Sequence, residues 1–244
     1  MIVSHHYNFI HIKTMKTAGT TTSVLLALQL KSGDMSLPLD TEDLDVTFPD
    51  DIFISRDVKR GDKVVNVGPH STISNVYRAF RGIHSYKVIA NERNPWDKVV
   101  SLYYWNKKIG TCPKDASFRD FVFKHLSMDT RNSEAYYCGD IPLVDHFIRY
   151  ECLEEDLKQI SRELSLPVEM DPTRFHFKGN VRAKRDYREQ YDDDIAEYIS
   201  VLFSKTINLF GYNFDDPRPS KMPKPVPGLA ALKRRAYNHL NRAG

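Results

Sequence analysis

The chain has 244 residues, of which 41% are apolar and 27% charged, so it can form a packed core and is unlike a globally disordered protein. Its formal net charge of +3 is too small to suggest wholesale nucleic-acid binding, and we expect no nucleic-acid partner. Three cysteines without zinc-site spacing, the lack of an apolar stretch of about 20 residues and the lack of a signal-peptide pattern predict a cytoplasmic protein without a bound metal or a transmembrane segment.

The first predicted strand covers Tyr7–Ile12, and a helix is predicted from Thr20 to about Leu30. A strand that leads through a small-residue turn into a helix forms an anion site, because free backbone N–H groups and the helix dipole converge there. Lys16 adds a positive charge, and hydroxyl groups come from Thr17, Thr20 and Thr21. The segment therefore predicts a site for a phosphate-like group, and the alternative is an ordinary strand–helix turn with a threonine cap.

The order of residues in this loop differs from that of nucleotide triphosphatases. Their pattern, G-x-x-x-x-G-K-[ST], has the lysine at its end. Here Lys16 precedes Gly19, and no glycine lies between Phe9 and Lys16. The triphosphatase pattern is therefore absent, although the strand–loop–helix context is the same.

The middle of the chain alternates between strand and helix patterns. Residues 31–62 are polar and acidic, which predicts a loop or insertion with a possible short strand at Ile52–Ser55. We then predict a strand at Lys63–Val67, a helix capped by Ser71 and running to about Phe80, a buried strand at Tyr86–Asn91, and a helix that begins at Asn94-Pro95 and runs to about Lys107.

The second half of the chain is predicted to be mainly helical. We expect a short helix at Phe118–His125, a strand at Leu143–Tyr150, an amphipathic helix at Leu153–Leu164 and a long helix from Arg188 to about Leu209. This order predicts an α/β fold with a mostly parallel sheet and helices on both faces. Residues 1–216 would form a single domain, followed by a Pro-rich linker and a basic terminal helix in 217–244, whose Lys233, Arg234 and Arg235 we expect on a solvated face.

Arg93 follows the strand predicted at Tyr86–Asn91 and precedes a helix. Ligands of parallel sheets bind at this edge, and a guanidinium group suits a phosphate. The alternative is that Arg93 pairs with a carboxylate such as Glu92 or Asp97.

Four stretches together resemble the sulfotransferases that use 3′-phosphoadenosine 5′-phosphosulfate (PAPS), specifically the carbohydrate-type family with uronyl and related bacterial members. Residues 10–21 (IHIKTMKTAGTT) are similar to its 5′-phosphosulfate loop and residues 92–105 (ERNPWDKVVSLYYW) to its 3′-phosphate motif. Residues 69–73 (PHSTI) are similar to the stretch that holds the family's base, and residues 144–157 (VDHFIRYECLEEDL) to a downstream structural signature.

The resemblance implies a P-loop-like fold, PAPS as the sulfuryl donor without a metal, and a role for each matching residue. The 5′-phosphate would bind to Thr17, Ala18, Gly19, Thr20 and Thr21. Lys16 would stabilise the leaving phosphate, and Arg93 and Ser101 would hold the 3′-phosphate. His70 would be the base. An unperturbed histidine has a pKa near 6.5, so it can accept a proton from the acceptor hydroxyl near neutral pH.

Several points stay open at this stage. Ala18 occupies a position that is often glycine in the family, which is harmless if its φ is negative. A basic loop with Lys178, Arg182, Lys184 and Arg185 would either close over the nucleotide or be solvated. The acceptor would be a hydroxyl-bearing small molecule or carbohydrate, and the oligomeric state is undetermined. The rival functions are a nucleotide kinase-like enzyme on the same kind of sheet and a non-catalytic nucleotide-binding module.

Overall fold

The structure is a computed structural model that describes residues 1–39, 47–60, 62–167, 170–174 and 186–242. Its strands are β1 Ile2–Ser4, β2 Phe9–Ile12, β3 Met35–Ser36, β4 Phe53–Ile54, β5 Asp57–Arg60, β6 Lys63–Asn66, β7 Lys87–Glu92, β8 Tyr137–Cys138, β9 Ile141–Pro142 and β10 His146–Arg149. Its α-helices are α1 Gly19–Ala27, α2 Ile73–Ala79, α3 Pro95–Ile109, α4 Phe118–Asp120, α5 Ser133–Tyr136, α6 Leu153–Glu163, α7 Asp193–Leu202, α8 Ser204–Phe210 and α9 Leu229–Arg242. Shorter helical turns lie at Ile83–Ser85, Met128–Thr130, Tyr150–Cys152, Pro172–Arg174 and Tyr187–Gln190, and a π-helical turn at Phe121–His125.

The predicted α/β fold with a mostly parallel sheet is confirmed for the described residues. Six strands form a mixed sheet in the order β10-β7-β2-β1-β3-β4. Strands β10, β7 and β2 are parallel to one another, and β1 is antiparallel to both of its neighbours. Ile12 pairs with Ala90, and Arg149 pairs with Glu92. The carboxyl ends of the parallel strands β10, β7 and β2 therefore meet at one edge of the sheet, where the candidate phosphate residues lie.

The sheet is covered by helices on both faces, because successive strand residues point to opposite sides. Ile10 and Ile12 pack in a core that includes side chains of α2, α3, α7 and α9. Phe9 and Ile89 pack in a second core with side chains of α1 and α6. In the described part of the chain, no helix is both long enough and apolar enough to cross a bilayer.

The start of α3 was predicted correctly from local sequence. Asn94 is its N-cap, and its Oδ1 accepts hydrogen bonds from the backbone N–H groups of Trp96 at 3.1 Å and Asp97 at 3.4 Å. Pro95 occupies the first turn, where its missing N–H has no intrahelical partner to lose. This cap fixes the direction in which the chain leaves β7, and hence the position of Arg93.

Three predicted elements differ from the structure. The strand predicted at Lys63–Val67 is present as β6, but it lies outside the main sheet and, among the described residues, pairs with β5 alone, with Lys63, Val64 and Asn66 exposed. The cap of α2 is Thr72 rather than Ser71, and its side chain accepts the N–H of Asn75 at 3.2 Å. The long helix expected at 188–209 is broken, because the Asp192 side chain caps a new helix by accepting the N–H of Ile195.

The terminal helix α9 packs against α2 and the turn that follows it. The Nζ atom of Lys233 lies 2.7 Å from Oδ2 of Asp145 and donates to the carbonyl of Tyr86 at 2.8 Å. Lys233 is only 3% exposed, so the expectation of a solvated face was wrong for this residue, while Arg234 and Arg235 are exposed as expected.

Candidate functional site

The loop between β2 and α1 has a tightly curved backbone. Lys16 and Ala18 both have φ of 58°, in the left-handed region, and Thr17 between them does not. The condition under which alanine would be harmless at position 18, a negative φ, is therefore not met, and this conformation costs an alanine roughly 1–2 kcal/mol. Alternation between right-handed and left-handed backbone can direct successive N–H groups toward one side, as in anion-binding concavities, which makes this loop a candidate anion site. No side chain in the described residues caps α1, so its first N–H groups face the same region.

Gly19 allows the loop to approach the start of α1 closely. A Cβ atom added at Gly19 would lie 2.9 Å from Cγ of Lys13 and 3.1 Å from the carbonyl oxygen of Thr14. Even an alanine at this position would therefore push the loop away from the helix. Glycine is required here for close packing rather than for a positive φ.

Asn91, at the end of β7, holds the loop through hydrogen bonds of its amide group. Its Nδ2 donates to Oγ1 of Thr22 at 2.9 Å and to the carbonyl of Thr17 at 3.4 Å, and its Oδ1 accepts from Nε2 of His11 at 2.7 Å. Its own carbonyl accepts from Oγ1 of Thr14 at 2.6 Å. His11 is fully buried, as predicted for a core residue, and burial lowers its pKa to about 3, so the ring is neutral.

Asn132 holds the loop through hydrogen bonds to the backbone of Met15. Its amide bonds both backbone groups of Met15, accepting from N–H at 2.9 Å and donating to the carbonyl at 3.1 Å. The same Nδ2 lies 3.2 Å from Oε1 of Glu92, which also receives Nζ of Lys98 at 3.3 Å. Glu92 and Lys98 are fully buried, and burial lowers the pKa of Lys98. The loop thus rests on a buried ion pair and two asparagines.

One face of α3 runs alongside the loop. Asp97, Ser101 and Trp105 are spaced four residues apart, which places them on a single face with about 6 Å of rise between neighbours. Asp97 contacts Arg93, and the Trp105 ring centroid lies 4.5 Å from Nζ of Lys16. Ser101 is half-buried between these two contacts. This face of α3 therefore lies next to both Arg93 and Lys16, with Ser101 between them. The proximity of these three residues could not be read from their separation in sequence.

Arg93 is 7% exposed and bonds to two parts of the site. Its Nε donates to Oδ2 of Asp97 at 2.8 Å, and its Nη1 donates to the carbonyl of Lys16 at 3.1 Å. The alternative prediction of a carboxylate partner is therefore confirmed for Asp97. Because Nη2 also donates to Asp97, three of the five guanidinium N–H donors bond to described residues.

The carboxyl end of β10 lies next to Arg93. The guanidinium carbon of Arg93 is 3.8 Å from the ring centroid of Tyr150. Glu151 accepts the N–H of Asn94 at 2.6 Å and the hydroxyl of Tyr212 at 3.0 Å. Burial raises the pKa of Glu151 to about 7, although these hydrogen bonds oppose the rise.

His70 lies in the exposed turn between β6 and α2, beside the loop. Its Nδ1 is 2.9 Å from the carbonyl oxygen of Lys13, the first residue after β2. A carbonyl only accepts hydrogen bonds, so this contact requires a proton on Nδ1. In the neutral ring Nε2 is then the basic nitrogen, which is the tautomer that a general base at Nε2 needs.

The threonines of the loop have different positions. The Thr17 hydroxyl bonds to Oγ1 of Thr14 at 2.8 Å inside the protein, so only the backbone of Thr17 could contribute to the candidate anion site. Thr20 is half-buried and Thr21 is 7% exposed, both in the first turn of α1. The basic loop predicted around Lys178, Gly179, Arg182, Lys184 and Arg185 lies outside the described residues.

Sequence reasoning missed the residues that support the loop. Asn91 offered a weak signal. An amide at the end of an otherwise apolar strand is a buried polar group, and such groups are normally hydrogen-bonded. Asn132 and Tyr150 offered none, because their partners lie 117 and 57 residues away in sequence. Among the described residues, no group of three or more histidine, cysteine, aspartate or glutamate side chains is arranged to hold a metal ion.

Comparison with known proteins finds a relative but no matching family model. A protein of Archaeoglobus fulgidus is 36% identical over 107 residues, which are 43% of this chain and 84% of the archaeal protein. The two chains are therefore homologous. The archaeal protein is described only as an uncharacterized protein, so the relationship carries no activity with it.

Proposed function

We propose that the protein transfers a sulfuryl group from PAPS to a hydroxyl of a carbohydrate or glycoconjugate acceptor. The observation that carries the proposal is the contact between Nδ1 of His70 and the carbonyl of Lys13 at 2.9 Å. It joins the candidate base to the loop that carries Lys16 and contacts Arg93. The candidate base, Lys16 and the backbone proposed to bind the anion therefore lie at one edge of the sheet, and their proximity supports the proposal.

The residues present fit a donor with two separate phosphate groups. The concave backbone of residues 16–18 and the start of α1 would hold the 5′-phosphate, with the hydroxyls of Thr20 and Thr21 nearby. The two remaining N–H donors of Arg93, together with Ser101 on the neighbouring face of α3, would hold the 3′-phosphate. When bound, PAPS would supply an activated sulfuryl group and a phosphate leaving group. This distinction between two phosphates favours PAPS over a nucleotide without a 3′-phosphate.

The chemistry assigned to the chain is proton transfer and charge stabilisation. Nε2 of His70 would take the proton of the acceptor hydroxyl as the oxygen–hydrogen bond breaks, while the Lys13 carbonyl keeps the ring in the required tautomer. Lys16 would move from the Trp105 ring toward the negative charge that develops at the loop. Both steps rely on positioning, which suits sulfuryl transfer as it does phosphoryl transfer.

Calorimetric titration with adenosine 3′,5′-bisphosphate, beside ATP with magnesium, tests the proposal. We expect micromolar binding of the bisphosphate and little binding of ATP, and the Arg93→Ala variant should lose most of the preference for the 3′-phosphate. A preference for ATP would instead favour the kinase-like rival. Tight binding of PAPS without turnover over a broad acceptor screen would favour a non-catalytic module, and binding of neither nucleotide would refute both the proposal and its kinase-like rival.

A further inference from the structure

The guanidinium group of Arg93 is contacted on three sides. Nε and Nη2 both donate to Oδ2 of Asp97, the first at 2.8 Å, and Nη1 donates to the carbonyl of Lys16 at 3.1 Å. The ring of Tyr150 covers one face at 3.8 Å. The side chains of Arg93 and Asp97 are 9% and 13% exposed, so the pair is shielded from solvent on most sides.

This arrangement partly cancels the charge that an anion would meet. A single buried cation attracts anions over several ångströms, whereas the opposite charges of an ion pair oppose each other and their combined field falls off faster with distance. An anion near the loop therefore gains little from Arg93 unless it touches the remaining N–H donors. Asp97 thus disfavours anions that approach without making that contact, and selectivity of this kind requires a repulsive group as well as an attractive one.

Asp97 also lies in the first turn of α3, where the helix dipole favours a negative side chain. If that were its whole role, its loss would lower the stability of α3 and leave the choice among anions unchanged. Its contact with two donors of one guanidinium group indicates a second role, which only a comparison of anions can reveal.

We propose that Asp97 is a specificity-determining residue of this anion site, which it restricts to phosphates that directly contact Arg93. The inference rests on the proposed function for the identity of the preferred ligand, a nucleoside 3′-phosphate. Tyr150 and the Lys16 carbonyl support the same selection, because they limit the directions in which Arg93 can turn toward other anions.

The experiment compares adenosine 3′,5′-bisphosphate with inorganic pyrophosphate, which carries charge but no nucleoside, by calorimetry on the full chain at two salt concentrations. In Asp97→Asn we expect pyrophosphate to bind about tenfold more tightly, with a steeper loss of affinity at high salt. Bisphosphate affinity should stay within about threefold of the original value, because the gain in charge is offset by a less well-oriented Arg93. The ratio of the two affinities should therefore fall.

Two variants serve as controls, and thermal unfolding establishes that each protein is folded. Asp97→Glu keeps the charge and should keep the original affinity ratio. Asp193→Asn removes an exposed acid from the first turn of α7 and should alter neither affinity. An unchanged ratio in Asp97→Asn would overturn the inference. A gain in pyrophosphate binding when neither protein binds the bisphosphate would overturn the proposed function but support the role of Asp97, so the two failures are distinguishable.

Discussion

The loop that carries Lys16 and the turn that carries His70 lie side by side but are held differently. The loop is fixed by buried groups: Asn91 below it, Asn132 beside it and Arg93 at the Lys16 carbonyl. The turn is exposed, and His70 contacts the loop at the carbonyl of Lys13. Donors that bind charge act best when fixed in advance, because they then need no reorganisation. A base has to be reached by its acceptor, which requires exposure.

The His70→Ala variant tests most directly whether the loop binds charge while the turn supplies the base, and it has the largest expected effect. Transfer should fall about 1000-fold, within the range for loss of a general base, while bisphosphate affinity changes little because Asn91, Asn132 and Arg93 still hold the loop. Acceptor turnover and calorimetry on the same preparation measure the two quantities. His125→Ala, which removes an exposed histidine elsewhere, is the matched control. Equal losses of turnover and affinity would show that His70 supports the loop rather than the chemistry.

The buried surroundings of Arg93 should affect the pH dependence of stability, because they include Glu151, which accepts the N–H of Asn94. The pKa of this carboxyl is about 7 in the folded chain, above its ordinary value of 4.5. Between these values the folded state keeps a proton that the unfolded state has released, so stability falls as pH rises. The loss should reach about 3 kcal/mol above pH 7.

The Glu151→Gln variant should remove this loss, since an amide keeps an acceptor for the Asn94 N–H but does not ionise. Urea unfolding at pH values from 5 to 8 measures the difference, which should grow with pH in favour of the variant. Glu155→Gln, on the exposed surface of α6, controls for the introduction of an amide. Parallel stability curves for Glu151→Gln and the original chain would contradict the raised pKa.

Regions of the molecule also differ in how much of them could be predicted from sequence. The start of α3 was predicted because its cap, its proline and its first turn are adjacent in sequence. The parallel sheet followed from the alternation of apolar strands and helices. The neighbours of Arg93 were only partly predictable: Asp97 is four residues away, whereas Tyr150 reaches it through the pairing of β10 with β7.

Errors arose where a contact between distant residues decides the local conformation. The positive φ of Ala18 accompanies a loop held by Asn91 and Asn132, which lie 73 and 114 residues further along the chain. The β5–β6 hairpin has a strand-like sequence that does not say which sheet it joins. The break at Asp192 was signalled locally, since an aspartate can cap a helix, but it lies within an otherwise helical pattern.

The Asn91→Ala variant tests how the loop that carries Lys16 is held, and it has the smallest expected effect. It would leave buried polar groups of His11, Thr17 and Thr22 without this partner, and we expect a loss of about 2 kcal/mol in the free energy of unfolding. Urea unfolding measures the loss, and Asn66→Ala, at an exposed amide bonded to Asp57, is the control. Bisphosphate affinity should fall as well, because the loop would have to be ordered on binding. A stable variant with full affinity would mean that Asn132 and Arg93 suffice to hold the loop, and that its rigidity does not depend on the end of β7.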